Sequence, residues 1–232
     1  MADVTLYGFP VSTYVIIARV VLTQKNVPYE FHDLETEMGK QSHLALHPFN
    51  RVPILQHGDF RIYETSAIAG YVDEAFGGDP LQPTEPRARA RMQQWISSLN
   101  SYYYPYIVYH LNHERLVFPA LGIAADEKVV AAALPKIATG LEVMERELQQ
   151  GQEFLVGGKP TLADFFMLPS VTGLSLTVEG QRLLADKPQI TAWRAKMDQL
   201  PSVQTVRAAI APFIGKPIEH ARGWVNAHRP KY

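Results

Sequence analysis

The chain has 232 residues, enough for one large or two small domains with a sizeable core, and its 22 basic and 23 acidic residues are mixed without a basic run, which excludes a nucleic-acid surface. It contains no cysteine, so structural disulfides, thiolate metal sites and a cysteine nucleophile are excluded together. No apolar stretch is long enough to span a bilayer and Met1 to Phe9 lacks the regions of a signal peptide, so the expectation is a soluble, cytoplasmic protein.

Val4 to Tyr7 reads as a short strand, with Tyr7 in its core pattern, that stops at Gly8-Phe9-Pro10. Ser12-Thr13 then precedes a helical pattern whose apolar positions are Val15, Ile16, Ala18, Val20, Val21 and Leu22. Asn26-Val27-Pro28 ends it, and Tyr29 to Leu34 alternates as a second strand, completing a βαβ unit with an expected right-handed crossover. Glu35 to Leu46 is polar and weakly patterned, a loop with a short helix. Val52 to Gln56 and Phe60 to Tyr63, separated by His57-Gly58-Asp59, read as a β-hairpin. Behind it, Glu64-Thr65-Ser66 opens a helix carrying Ile68, Tyr71, Val72 and Phe76 on one face. Hydroxyls at a helix start come with unpaired backbone N–H groups and a positive dipole end, a place to hold a carboxylate. Pro53 stands at the mouth of a strand, where proline needs a reason, and a cis bond is one.

Gly77 to Pro86 holds three prolines and two glycines in ten residues and marks a linker. Everything after it reads as helix. Arg87 to Leu116 is one long helix ending in a tyrosine-rich stretch, and Asp126 to Gln150 is a second. Thr161 and Asp164 form a capping arrangement before a helix apolar nearly all round, the expected central one. Ile190 to Leu200 and Val203 to Ile210 are shorter helices parted by Pro201, and the last twenty residues are polar and irregular. The eight histidines are scattered, with no pair at ligand spacing on a helix, so no metal is expected.

Pro10-Val11-Ser12-Thr13, His47-Pro48-Phe49-Asn50-Arg51-Val52-Pro53, Glu64-Thr65-Ser66-Ala67-Ile68 and Pro160-Thr161-Leu162-Ala163-Asp164 resemble, in order and spacing, motifs of the glutathione transferases. The chain is most similar to the serine-type, phi-like members and their bacterial relatives. The resemblance implies an α/β thioredoxin-like N-terminal domain over 1–76, a linker over 77–86 and an all-α C-terminal helical domain over 87–232. It implies glutathione as cosubstrate, no further cofactor, a homodimer, and transfer of the glutathione thiolate to a small, mostly apolar electrophile. Ser12 would donate its hydroxyl hydrogen to the sulfur, with Thr13 beside it. Val52 before cis-Pro53 would hydrogen-bond the cysteinyl main chain. Thr65 would take the γ-glutamyl carboxylate and Glu64 the amine, while Lys40 and Arg51 would compensate the glycyl carboxylate. Phe9 and Val11, with Tyr103, Tyr106, Ile107 and His110 opposite, would wall the electrophile site. Two departures stand out: Thr65 occupies a position where the family usually has Ser, and Arg51 one where the phi pattern has Gln or Lys.

The chemistry closes on magnitudes. Lowering a thiol from pKa ~8.5 to ~6.5 takes roughly 2.7 kcal/mol. A hydrogen bond to a charged group supplies about 1.5–3 kcal/mol and a helix start about 0.3–1 kcal/mol more. One hydroxyl at a helix start is therefore enough. Tyr7 and Tyr14 compete with Ser12 for this role; Ser12 ranks first because Tyr7 lies in the strand pattern. Glutathione-dependent peroxidase, dehalogenase or isomerase chemistry on the same site is the rival within enzymes. A non-catalytic ligand carrier or assembly module is the rival outside them.

Overall fold

A computed structural model describes residues 3–229 of the chain; Met1, Ala2 and the tail end at 230–232, which the expected domain limits include, lie outside the described residues. The first elements are β1 (Val4–Gly8), α1 (Thr13–Gln24), β2 (Glu30–Asp33), α2 (Gln41–Leu46), β3 (Ile54–His57), β4 (Phe60–Tyr63) and α3 (Thr65–Ala75). Then come α4 (Pro86–Ser98), π-type helix over Leu99–Tyr103 and Pro105–Val117, α5 (Phe118–Ala120) and α6 (Glu127–Leu148). The chain closes with α7 (Leu162–Leu174), α8 (Val178–Leu184), α9 (Pro188–Asp198), α10 (Pro201–Ile210) and α11 (Val225–His228). They group into two compact units, residues 3–82 with Gln199–Ile214, and Pro83–Asp198 with the segment from Gly215 onward.

The first unit is a thioredoxin-like sheet with helices. Strand order is β2-β1-β3-β4, with β1 parallel to β2 and antiparallel to β3. Leu6 sits between Phe31 and Leu55 across the ladder, and Val4, Leu6, Ile54 and Leu55 are buried. His57 pairs with Phe60, leaving Gly58-Asp59 as a two-residue turn with Gly58 at φ +56, which glycine adopts without steric cost. Helix α1 buries Val15, Ile17, Ala18, Val20, Val21 and Leu22, each larger side chain contributing roughly 1.5–3 kcal/mol. Ile17 takes the core place expected of Ile16, which falls on the half-buried strip with Arg19.

Helix α10, expected in the helical domain, belongs to this first unit instead. Its buried face of Val203, Val206 and Ile210 packs on α1, and Ser202 Oγ donates to Gln24 Oε1 at 2.6 Å. An apolar face on α10 and a second apolar side on α1 satisfy each other, which sequence distance conceals. The expected linker is tied down as well. Lys25 Nζ donates to Asp73 Oδ1 at 3.1 Å and to the carbonyls of Gly78 and Asp79. The Asp73 carboxylate in turn accepts the amides of Leu81 and Gln82 at 2.8 and 3.1 Å.

The second unit is helical. Glu85 caps α4 by accepting the amides of Arg87 and Ala88, and Pro86 stands at its first position. The single helix expected over Arg87–Leu116 is a continuous helical path that widens from Leu99, where the Tyr104 amide reaches the Leu99 carbonyl and that of Phe118 reaches His113. Pro105 supplies no N–H to the tighter ladder. Helix α7 is buried on nearly every side, and the Thr161–Asp164 capping box starts it. Asp164 also accepts Leu155 N–H and Trp193 Nε1–H at 2.9 and 2.8 Å. The sequence pattern missed α8, a seven-residue helix capped by Thr177. It also missed the order in the tail: a 3-10 turn over Glu219–Trp224 leads into α11, and Arg229 forks onto the buried Glu114 at 2.8 and 2.7 Å. No helix among the described residues is long and apolar enough to cross a membrane.

Candidate active site

The sheet register brings distant segments to one end of the first unit. Tyr7 lies opposite Ile54 and Ile54 opposite Tyr63. The residues that follow β1, precede β3 and follow β4 therefore leave the sheet at the same end: Phe9 to Ser12, Val52-Pro53 and Glu64-Thr65.

Ser12 is the N-cap of α1, and its carbonyl accepts the Ile16 amide at 2.9 Å. Its hydroxyl makes no capping bond, although a plain cap is what a serine there usually is. The first turn of α1 carries no acidic side chain to offset the positive end of the helix. Thr13 is the first helical residue, half-buried beside it. A hydroxyl donor at a helix start with no acid in its first turn is suited to an anion.

The α3 start likewise has no acid within its first turn, but the Glu64 carboxylate stands at its N-cap. Glu64, read as opening this helix, stands one residue before it at φ 71, a conformation L side chains rarely adopt. Thr65 is buried while Glu64 and Ser66 are exposed, no side chain caps the helix, and no acid occupies its first turn. Tyr71 and Phe76, expected on its buried face, are only half-buried; the Tyr71 hydroxyl meets His57 Nδ1 at 2.7 Å. The Val52–Pro53 bond is cis, with Pro53 buried and Val52 half-buried. One end of the sheet thus presents two helix N-termini, one of them with Glu64 at its cap, flanking an irregular main-chain edge. Such an edge can pair with a peptide-like ligand that carries two anionic groups.

Lys40 and Arg51 are both exposed, Lys40 at the N-cap of α2. Between their segments lies His43, whose Nδ1 accepts the Gly39 amide at 3.2 Å and whose Nε2 meets the Arg51 carbonyl at 2.9 Å. His47 follows one turn later, its Nδ1 accepting the Phe49 amide at 3.3 Å and its ring 4.5 Å from that of Tyr63. Burial, with His43 and Arg51 nearby, holds the His47 imidazole below its ordinary range. His43 lies in the short helix expected within 35–46, while His47 follows its end in extended conformation, so the two do not form a helical pair. Their ring nitrogens serve the main chain; among the described residues no three-residue cluster could hold a metal ion.

Tyr7 is half-buried and packs 5.2 Å from the His32 ring, so it is not the core residue expected. Of the expected electrophile wall, Phe9 is buried and Val11 half-buried in the first unit. In the second, Tyr106 and His110 are half-buried with rings 5.5 Å apart, and burial lowers the His110 pKa. Tyr103 and Ile107 do not fit that wall. Ile107 is fully buried, and Tyr103 spends its hydroxyl on the Gly140 carbonyl at 2.8 Å, with burial raising its pKa. Tyr103 packs against α6, whereas Tyr106 and His110 stay partly open.

Sequence comparison matches residues 6–80 to the glutathione S-transferase N-terminal domain and residues 103–201 to the glutathione S-transferase C-terminal domain. The chain is 33% identical to glutathione S-transferase F10 of Arabidopsis thaliana over 199 residues, 82% of this chain and 90% of that protein. Its fold is similar to apo glutathione S-transferase III, with a TM-score of 0.81 and 32% identity over 89% of this chain and 96% of the other. It is equally similar in fold to glutathione S-transferase I from mais, solved with an atrazine glutathione conjugate, with a TM-score of 0.81 and 28% identity over 90% and 98% of the two chains.

Proposed function

The chain belongs to the glutathione S-transferase family, and from that premise we propose that it joins the glutathione sulfur to small, mostly apolar electrophiles, with Ser12 as the thiolate-stabilising residue. The observation that carries this reading is the Ser12 hydroxyl, unused by its own helix, at an acid-free helix start beside cis Val52–Pro53 at the same sheet end. Glutathione would bind with its cysteinyl main chain against Val52. Its γ-glutamyl carboxylate would lie at Thr65 and the α3 start, its amine near Glu64, and its glycyl carboxylate between Lys40 and Arg51. Ser12 O–H then donates to the sulfur and favours S⁻ over SH. The thiolate forms a C–S bond to the electrophilic carbon as the leaving group departs with its electron pair, or as the pair moves onto an activated double bond. No protein nucleophile is needed, in keeping with a chain that lacks cysteine.

In the helical unit Tyr106 and His110, a half-buried ring pair, are the electrophile contacts proposed. We further propose a cytoplasmic detoxifying homodimer, as the family resemblance implies. The test is conjugation. The protein, glutathione and a panel of nitroaryl chlorides, enals and hydroperoxides are incubated and followed by mass spectrometry. S-conjugates from the carbon electrophiles support the reading. Turnover of hydroperoxides alone moves the assignment to a peroxidase. Glutathione binding with no product moves it to a carrier.

A further inference from the structure

The α2 helix carries a buried ring that neither Ser12 chemistry nor packing explains. His43 is fully buried, yet both its ring nitrogens are committed to main chain: Nδ1 to the Gly39 amide at 3.2 Å and Nε2 to the Arg51 carbonyl at 2.9 Å. An amide can only donate and a carbonyl only accept. The ring is therefore neutral, with its hydrogen on Nε2 and its lone pair on Nδ1. Lysine and arginine have no acceptor, and an aliphatic residue has neither function. A single side chain is bridging two turns of opposite hydrogen-bond polarity.

Those turns carry the two cations. Gly39 directly precedes Lys40, and the second turn ends in Arg51, then Val52 and cis-Pro53. Gly39 has φ +79 and a Cβ built there would stand 3.8 Å from the Asn50 side chain, so the two turns lie against each other. Lys40 and Arg51 are both exposed, and a carboxylate within electrostatic reach of Lys40 is that of Glu37, on the same turn. An anion bound by both cations needs the two turns held at a fixed spacing, and the two His43 hydrogen bonds supply that tie.

We propose that His43 is a positioning residue for the glycyl carboxylate of glutathione, clamping the Lys40 turn to the Arg51 turn so that both cations are ready before the ligand arrives. His47 braces the same construction, with its ring on Tyr63, the residue before Glu64. This inference rests on the assignment of Lys40 and Arg51 to that carboxylate, and it extends the assignment to a residue that touches no substrate atom.

The experiment compares dissociation constants for glutathione and for γ-glutamylcysteine, which lacks the glycyl residue, in the wild-type protein, Lys40→Ala, Arg51→Ala, His43→Phe and His43→Gln. Losing the clamp is expected to cut the preference for glutathione roughly tenfold in His43→Phe, the scale of one unmade hydrogen bond. Binding of γ-glutamylcysteine and the titration of the bound thiol stay where they were. His43→Gln, which keeps an acceptor and a donor, recovers part of the preference. If the Lys40 and Arg51 variants lose the preference while His43→Phe keeps it, the clamp is refuted. If the Lys40 and Arg51 variants keep it, the carboxylate assignment itself has failed, whatever His43 does. A second measurement needs no variant: imidazole ¹⁵N spectra of the wild-type protein must show His43 with its hydrogen on Nε2. An Nδ1–H tautomer overturns the proposal even where His43→Phe does not fold.

Discussion

Replacing Ser12 by alanine removes a hydroxyl that caps nothing, so the change separates chemistry from folding. A capping serine costs about 1 kcal/mol when lost; here that contribution is absent, and stability should shift by less than about 0.5 kcal/mol. In the complex the same hydroxyl donates to a thiolate, a bond of about 1.5–3 kcal/mol. Divided by about 1.36 kcal/mol per unit, its removal raises the pKa of bound glutathione by roughly one to two units. The helix start remains, so the thiol does not return fully to its solution value. The assay is an ultraviolet difference titration of the thiolate band of bound glutathione, wild type against Ser12→Ala, beside a thermal melt of each. Conjugation at pH 6.5 should fall roughly ten- to hundredfold, the kinetic equivalent of that shift. An unmoved band with glutathione still bound refutes Ser12 as activator and passes the role to Thr13 or Tyr7. A melt that collapses in the variant refutes the claim that the hydroxyl has no folding task.

Asp164→Ala strands the Leu155, Thr161 and Trp193 donors in a fully buried place and should cost more than about 3 kcal/mol in chemical denaturation. Lys25→Met leaves Asp73 buried without its cation and should cost about 3–5 kcal/mol, while Lys25→Met with Asp73→Leu should recover part of it, the cycle being read from denaturation midpoints. Acid should weaken the helical unit through His113, which lies under the Trp224 ring; burial first, then the neighbouring His228 and His110, push it down from 6.5 to about 3. The unfolded chain binds this proton below pH 6.5 and the folded one only near pH 3. Its contribution is thus full above pH 6.5 and lost on descending that window, by up to about 1.4 kcal/mol per pH unit. A His113→Phe variant with the same acid slope as wild type would show that other groups carry it.

What local chemistry specifies was legible without coordinates. Alternation gave β3 and β4, the Thr161–Asp164 box marked the start of α7, and a proline after Val52 marked a cis bond, because each depends on residues a few positions apart. Ser12, Pro53 and Thr65 are far apart in the chain and were brought together as candidates only by resemblance to the family's motifs. Other features depend on who meets whom. Helix α10 joins the thioredoxin-like unit since its apolar face fits α1 from far along the chain. Tyr103 and Ile107 turn inward while Tyr106 and His110 stay partly open, and for Tyr103 that choice is made by where α6 packs and not by residue type. In the sequence His43 was one residue of a polar, weakly patterned stretch read as a loop with a short helix. Only the tertiary structure places a donor and an acceptor on opposite sides of its ring, since hydrogen-bond partners are set by the folded path of the main chain, which side-chain spacing does not encode.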